Sequence, residues 1–273
     1  MRKSKTNATA AYIVLIIAAV LFILPFIWLI FASFDSNATL IIKLPKVTLN
    51  NFEYVFTNQQ ILVSFLNGFL ISFGQAVIVV VFSVLAAYPL SRYKFKAKKP
   101  LMFSLLFLMG LPIIAVIVPV YQLFFFLKFT NSLLATTVFM ASTGFPLAIW
   151  LMKNFMDSIP IEVEEAAWVD GASKFKSLKS VIAPLMLPGI CMVFIFIFTG
   201  GWGNFFVPFI LLNSPDKMVP SVTIYQFFAQ YGFISYGKLA AFSLVYTLPP
   251  IVLFYVAQKH ISSGFRMGGA SKQ

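Results

Sequence analysis

Half of the acidic side chains of this chain lie in one short stretch, and they carry its most distinctive chemistry. Of the eight Asp and Glu residues, Glu162, Glu164, Glu165 and Asp170 fall within 159–189. The chain has one His and no His/Cys/carboxylate cluster, so these carboxylates lack the partners of a metal site or a catalytic triad. Long apolar runs flank the stretch, which must therefore face water. The pattern indicates docking on a partner, and it disfavours an enzyme.

The stretch is expected to form a helix, a tight turn and a second helix. Pro160 can open the first helix, because the first turn does not use the N–H that proline lacks. The glutamates then lie near the positive end of that helix, where carboxylates are favoured. Gly171 predicts the end of the first helix, and Ser173 predicts the cap of the second. Helical spacing continues through Phe175, Leu178 and Ile182.

The same residues resemble a known family. Glu165-Ala166-Ala167, followed by Gly171, Val181 and Pro184, resembles the EAA loop of ABC importer permeases. The wider string of Ile159-Pro160, Glu164 and Asp170-Gly171-Ala172-Ser173 is similar to the carbohydrate-uptake, maltose-type branch. Val181 and Ala183 stand where the family pattern has Ile and Leu, and both remain apolar. Length, span count and tail also match, so the resemblance covers most of the chain.

The resemblance implies that this loop sits in a cleft of an ATPase subunit and passes its motion to the membrane helices. The residues implied in this coupling are Glu164, Glu165, Ala166, Ala167, Asp170, Gly171 and Ala172. Gly171 is expected to have a positive φ or a close partner contact, and Ala167 is expected to face the cleft. Glu164 or Glu165 either pairs with a basic group there or stays solvated. The alternative for the whole stretch is an ordinary amphipathic loop, which the full spacing from EAA to proline disfavours.

The composition predicts an all-α integral membrane protein with a single transmembrane permease domain, 1–273. Hydrophobic residues make up 60% of the chain and charged residues 10%. Runs of about twenty apolar residues indicate spanning helices. We expect six spans, at 12–34, 65–90, 101–127, 133–152, 185–212 and 239–258, with the coupling loop at 153–184 between spans four and five. The first run is too long for a signal peptide.

The distribution of basic residues predicts the orientation of these spans. With both termini cytoplasmic, fifteen of the twenty Lys and Arg residues fall on the cytoplasmic side. The strongest signal is the loop at 91–100, which reads SRYKFKAKKP. The net charge of +12 is then explained by positive loops rather than by nucleic-acid binding. The expected location is the bacterial cytoplasmic membrane, in contact with lipid.

Several polar and small residues inside the predicted spans are candidates for a translocation pathway. Asn67 and Gln75 in the second span either line the pathway or hydrogen-bond between helices. Gly201, Trp202 and Asn204 belong to a glycine-rich break in the fifth span, which allows close approach of a helix or of a ligand.

Two further features leave their roles open. Pro112 and Pro119 predict a kink in the third span, which serves either gating or packing. Phe205, after Asn204, stands where the resembling family often has a polar or acidic residue, so a role taken over from that position is not supported.

The segment 213–238 is expected to lie outside the cell. Its turn residues, aromatics and amides suit either sugar stacking or an interfacial belt. The resemblance implies that this segment faces the substrate-binding protein, and the candidate contacts are Asn213, Asp216, Tyr225 and Gln226.

The energy source is indicated by what the sequence lacks. The six predicted spans contain no Asp, Glu, Lys, Arg or His, whereas ion-coupled carriers usually place such groups in the membrane. The chain also lacks a GxxxxGK[ST] loop, so ATP and Mg are expected on a separate subunit and no cofactor on this one. The lone Cys191 excludes an internal disulfide.

The resulting hypothesis is a permease subunit of an ATP-driven importer for a di- or oligosaccharide, working by alternating access. The partners implied by the resemblance are a second, non-identical permease, a pair of ATPase subunits and an extracellular or lipoprotein binding protein, with no nucleic acid. The partner permease can supply much of the sugar site. A channel or secondary carrier for a small polar solute is the alternative, and the acidic loop is the feature that distinguishes the two.

Overall fold

The computed structural model describes residues 3–41, 43–229 and 234–270, with side chains over 11–41, 43–228 and 234–259. Within these residues the chain is helical, and its single strand-like pairing is an isolated bridge between Asp35 and Val47. The helices are α1 (Lys3–Ser33), α2 (Asn50–Thr57), α3 (Gln59–Arg92), α4 (Lys98–Met109), α5 (Ile113–Phe126), α6 (Leu133–Asp157), α7 (Ile161–Val169), α8 (Lys174–Ser177), α9 (Ala183–Leu185), α10 (Leu187–Trp202), α11 (Phe206–Leu211), α12 (Pro220–Thr223), α13 (Gln226–Ala229) and α14 (Tyr236–Ala270). A π-helical turn, Leu178–Ile182, joins α8 to α9, and a 3-10 turn, Pro215–Lys217, precedes α12.

Four described segments are long and apolar enough to cross a bilayer: Ala11–Ser33, Gln59–Arg92, Leu133–Asp157 and Tyr236–Lys259. The count rises to six if each of two bent helix pairs forms one span. An all-helical membrane protein is therefore confirmed, with four to six apolar helices.

The predicted third span, 101–127, is not one continuous helix. Its two halves, α4 and α5, are bent by 93°. Pro112 occupies the N-cap position of α5 with an extended ψ of 129°, whereas Pro119 lies inside α5 without ending it. The bend therefore arises at Gly110–Pro112, because a proline restricts the residue before it and cannot extend the preceding hydrogen-bond ladder.

The predicted fifth span, 185–212, is broken at both ends of α10. The segment Lys174–Leu185 turns by 75° into Leu187–Trp202. The helix stops again at Gly203 and resumes as α11. The predicted loosening by glycines is thus a full interruption of the helix.

The chain divides into two compact units, 1–62 with 223–248 and 63–222 with 249–273. In the first unit, Asn51 Nδ2 donates to the carbonyl oxygens of Ser33 and Asp35, both at 3.0 Å. A Cβ at Gly237 would lie 2.5 Å from Asn51 Nδ2, so only glycine fits beside this amide. The expectation of a single domain stays a prediction.

The second unit is built on α3, α6 and α10. Phe198, Met152 and Ile182 are fully buried within it. A Cβ at Gly189 would lie 2.4 Å from the Phe155 ring, so the start of α10 packs directly on α6. By contrast, the Ala11–Ser33 part of α1 buries none of its most apolar window, which leaves that surface for lipid or a partner subunit.

Candidate functional site

The acidic stretch folds as the predicted helix, turn and helix. Pro160 takes the N-cap position, so α7 begins one residue later, at Ile161. Gly171 has φ +82°, which confirms the predicted left-handed backbone. The N–H of Gly171 donates to the Trp168 carbonyl at 3.0 Å, and that of Ala172 donates to the Ala167 carbonyl at 2.9 Å. This pair of bonds is a Schellman motif, which satisfies the last carbonyls of α7 and needs a residue that tolerates positive φ.

The second helix of the stretch starts at the predicted cap. Ser173 Oγ accepts a hydrogen bond from the Lys176 backbone N–H at 3.3 Å. Leu178 and Ile182 are buried, whereas Phe175, in the first turn of α8, is 69% exposed. The π-helical turn Leu178–Ile182 lies within this helix, and such turns are frequent at functional sites.

Glu164 points into the chain rather than out of it. Its carboxylate is fully buried and accepts hydrogen bonds from Tyr88 Oη, on Oε1, and from Arg92 Nε, on Oε2 at 2.9 Å. The Arg92 side chain is 7% exposed, and its Nη2 also donates to the Ile159 carbonyl at 3.1 Å. For Glu164, the expectation of a basic partner in the cleft or of a solvated carboxylate is therefore wrong, because both oxygens are already bonded inside the chain; for the exposed Glu165 it stays a prediction.

An exposed surface remains on the other side of the turn. Glu165, Ala166, Asp170 and Gly171 are exposed, while Ala167 and Ala172 are half-buried. Val169, beside the turn, is 88% exposed. Six of the seven predicted coupling residues are thus at least partly accessible, and together with Val169 they form a small, mostly uncharged surface with two carboxylates.

Tyr88 and Arg92 are functional candidates that the sequence alone does not single out. In the sequence, Arg92 stands out only as a positive charge at the start of the basic loop. The sequence feature that could have indicated them is their spacing, since Tyr88 and Arg92 are four residues apart and therefore share one face of a helix. That face of α3 meets the buried glutamate of α7.

The candidate pathway residues of α3 bond to neighbouring backbone. Asn67 Nδ2 donates to the carbonyl oxygens of Asp216 at 2.9 Å and Met218 at 3.1 Å. Gln75 Nε2 donates to the Met140 carbonyl at 3.2 Å, and its Oε1 has no hydrogen-bond partner among the described residues. For Gln75, which connects α3 to α6, this contact supports the alternative of a hydrogen bond between helices; Asn67 instead connects α3 to the segment 216–218.

The glycine-rich break also serves packing. A Cβ at Gly201 would lie 2.4 Å from Gln75 Oε1, so α10 contacts α3 here through a bare backbone. Trp202 is 4% exposed and stacks on Phe198 with ring centroids 6.0 Å apart. Asn204 Oδ1 accepts from the Val207 N–H at 3.0 Å and so caps α11. All five pathway candidates thus take part in internal contacts.

The candidate contacts of the outer segment are mostly accessible. Asn213 and Asp216 are exposed in one unit of the chain. In the other unit, Tyr225 is 56% exposed and Gln226 is half-buried. No side chain in this set is fully buried.

A family described as binding-protein-dependent transport system inner membrane component matches residues 79–267. The chain is 26% identical over 266 residues to the maltodextrin transport system permease protein of Bacillus subtilis, covering 96% of each. It is 28% identical over 269 residues to the diacetylchitobiose uptake system permease protein of Streptomyces coelicolor, covering 96% of this chain and 88% of that protein.

The fold is also similar to a solved structure. A chain from a bacterial ABC transporter involved in the import of the acidic polysaccharide alginate superposes with a TM-score of 0.81. The match covers 95% of this chain and 98% of that one, at 20% sequence identity. At this identity the likeness establishes the fold alone.

Proposed function

Because this chain belongs to the family of binding-protein-dependent transport system inner membrane components, we propose that it is one permease subunit of an ATP-driven sugar importer. The protein is a multi-pass membrane protein of a transport system. Its substrate is proposed to be a di- or oligosaccharide that crosses the bacterial cytoplasmic membrane by alternating access. This proposal is supported by relatives named for maltodextrin and diacetylchitobiose, each matched over nearly the full length of this chain.

The observation that carries the coupling part of the proposal is the exposed turn after α7. Gly171 is left-handed, a Cβ added to it would have nothing within 4 Å, and Val169 beside it is 88% exposed. An accessible apolar tip flanked by Glu165 and Asp170 suits insertion into a cleft of another protein. We assign that cleft to an ATPase subunit, which would hold ATP and Mg, so that this chain needs no cofactor.

The remaining partners follow from the family and from the exposed surfaces. The family description names a binding protein, for which the outer residues Asn213, Asp216, Tyr225 and Gln226 are the proposed contacts. A second, non-identical permease is proposed to cover exposed apolar helix surface. Since Asn67, Gln75, Gly201, Trp202 and Asn204 have internal contacts, much of the sugar site is proposed to lie on that partner.

The proposed orientation places both termini and the loop 153–184 in the cytoplasm. Its test uses single cysteines in a Cys191→Ser background, at two exposed positions, Lys96 and Asp216. A membrane-impermeant thiol reagent added to intact cells should label Asp216→Cys and spare Lys96→Cys. The reverse labelling would contradict this topology.

The function is tested by the energy source and by co-purification. An affinity tag on this chain should recover an ATPase subunit from native membranes, and sugar uptake should continue when the proton gradient is collapsed at constant ATP. This expectation follows from predicted spans without ionisable residues. Uptake that stops with the gradient while ATP persists, without a co-purifying ATPase, would favour the secondary-carrier alternative.

A further inference from the structure

Helix α3 connects two well-defined contact points within the second unit of the chain. It runs as one helix from Gln59 to Arg92, a length of 34 residues, with Pro89 in its last turn, where the Tyr93 N–H still donates to the Pro89 carbonyl at 3.0 Å. Its Arg92 end bonds to α7, and Asn67 near its other end bonds to the segment 216–218. Asn67 and Arg92 are 25 positions apart, which corresponds to about 37 Å at 1.5 Å per residue. One continuous helix therefore separates these two points by about the thickness of a bilayer.

The contact at the Arg92 end fixes α7 in position and orientation. Arg92 bonds to the Glu164 carboxylate at 2.9 Å and to the Ile159 carbonyl at 3.1 Å, so it holds α7 both within its first turn and just before it. Tyr88, one turn earlier on α3, donates to the second carboxylate oxygen. A buried ion pair of this kind resists separation, because removing one partner leaves an uncompensated charge. We call Tyr88, Arg92 and Glu164 the brace.

The contact at the far end is equally specific. A single amide group, Asn67 Nδ2, donates to two carbonyl oxygens, those of Asp216 and Met218. At the next residue, a Cβ on Gly68 would lie 2.4 Å from Pro220 Cδ. The backbone of α3 thus touches the segment 216–220 directly, and a movement of this end of α3 must displace that segment.

The covalent route that continues along the chain after α7 is much less stiff than this contact with α3. It passes through the π-helical turn Leu178–Ile182 and the 75° bend before Leu187. It is interrupted again at Gly203, where α10 ends. Irregular turns of this kind are where helices deform, so motion along this route is partly absorbed.

We propose that Tyr88 and Arg92 are positioning residues that bind α7 to α3 as one rigid body, so that displacement of α7 by the ATPase reaches the segment 216–220 through α3. This inference rests on the proposed function for the source of the displacement. The brace is not itself an ATPase contact, because Glu164 is fully buried and Arg92 nearly so. Helix α3 would thus connect the surface that faces the ATPase, at the turn after α7, with the segment 216–220 on the other side. The brace itself would contact no partner.

The test measures distances with spin labels in the purified complex. In a Cys191→Ser background, labels at Val163 on α7, outside the proposed ATPase contact, and at Leu85 on α3 report the α7–α3 distance, since both side chains are exposed. The probe is ATP with Mg, followed by vanadate trapping. The α7–α3 distance should be the same before and after trapping. A separate single label at Asp216 should change its environment on trapping, because α3 moves with α7.

Two variants and one control then address the brace. Arg92→Gln removes the ion pair, and Tyr88→Phe removes one hydroxyl while keeping the ring. Both should broaden the α7–α3 distance distribution and reduce the trapping-dependent change at Asp216 by about twofold or more, the lower end of coupling changes seen along such networks. Lys94→Gln, exposed on the adjacent loop, should match the parent in both measurements. Retention of the ATPase subunit should be unchanged in all three.

Each outcome decides between the proposals. A change of the parent α7–α3 distance on trapping would overturn the brace, as would variants that match the parent in both readouts. If Arg92→Gln does not assemble, Tyr88→Phe decides alone. Absence of any ATPase from the purified sample would instead contradict the proposed function, and the nucleotide-free distance distributions would still test whether the brace holds α7 to α3.

Discussion

The acidic turn and the interior contact between α3 and α10 both depend on a glycine and on a buried polar side chain, but for opposite reasons. At the turn, Gly171 is required by its backbone angle, and nothing lies within 4 Å of its missing Cβ. In the interior, Gly201 is required by space, since Gln75 Oε1 lies 2.4 Å from that position.

The buried polar groups of the two regions also differ, in their charge. Glu164 carries a charge that is matched by Arg92, whereas Gln75 is neutral and leaves Oε1 without a hydrogen-bond partner among the described residues. A neutral amide can tolerate an incomplete set of bonds deep in an apolar region, while an unpaired carboxylate there would be far more costly. Charge is therefore used at the end of α3, and neutral polar groups are used along its middle.

The largest expected effect comes from breaking the charged contact. Arg92→Met leaves the Glu164 carboxylate buried without its cation, and the free energy of unfolding should fall by about 3–5 kcal/mol. The double variant Arg92→Met with Glu164→Leu should recover most of that loss, because two apolar groups can replace a buried pair. Denaturant unfolding in mixed micelles measures both. A double variant as unstable as the single one would show that the charges are not the main interaction.

The next effect comes from filling the interior contact. Gly201→Ala places a methyl group against Gln75, and overpacking of this kind costs about 1–3 kcal/mol. Gly200→Ala is the matched control, since a Cβ there meets nothing within 4 Å; it should be neutral or slightly stabilising, because alanine is the better helix former. Unfolding measured in the same micelles compares them. Equal effects of the two substitutions would remove the close approach as the reason for glycine.

A smaller loss is expected from the neutral amide at the far end of α3. Asn67→Leu removes two hydrogen bonds donated from α3 to the segment 216–218, and side-chain hydrogen bonds of this kind in membrane proteins average about 0.6 kcal/mol each. The unfolding free energy should therefore fall by about 1 kcal/mol, well below the effect of Arg92→Met. A loss as large as that of Arg92→Met would contradict the distinction between charged and neutral contacts drawn above.

A small effect on stability, comparable to that of Asn67→Leu, is expected at the turn itself. Gly171→Val forces a β-branched residue into a left-handed conformation, at a cost of about 1–2 kcal/mol, so the protein should still insert. Coupling should nevertheless be lost, because the bulky side chain projects into the proposed ATPase cleft. Gly171→Asn is the control for the backbone, since asparagine tolerates this conformation. Vanadate-sensitive ATP hydrolysis measures coupling, and retention of the ATPase subunit measures assembly. Full activity of Gly171→Val would remove the coupling role of this position.

The acidic stretch was largely predictable because its structure is set by local rules. A glycine that ends a helix and a serine that caps the next one depend only on residues within one turn. Both predictions are confirmed, at Gly171 and Ser173. The partner of Glu164 was not predictable in this way. Its two donors lie 72 and 76 residues earlier in the chain, and only the packing of α7 on α3 brings them together.

The interior of the spans was harder to interpret for a related reason. Polar residues such as Asn67 and Asn204 are compatible with either a pathway or a packing role, and composition alone does not reveal which backbone groups they meet. The breaks within spans three and five were larger than predicted, because hydrophobicity records which residues avoid water and is insensitive to a bend between them. Pro112 and the glycines near 200–203 were visible, but the 93° bend after Met109 is a property of the tertiary structure.

That bend also determines how much bilayer the two helices can cover. Helices of 12 and 14 residues have lengths of about 18 and 21 Å, and neither alone reaches across a hydrocarbon layer of about 30 Å. With a 93° bend and both arms inclined equally, their combined height is about 27 Å, close to that layer. Straightening would lengthen the pair to about 39 Å. Changes in this bend would therefore alter the local hydrophobic thickness of the protein, and bilayers of different thickness should favour different bend angles.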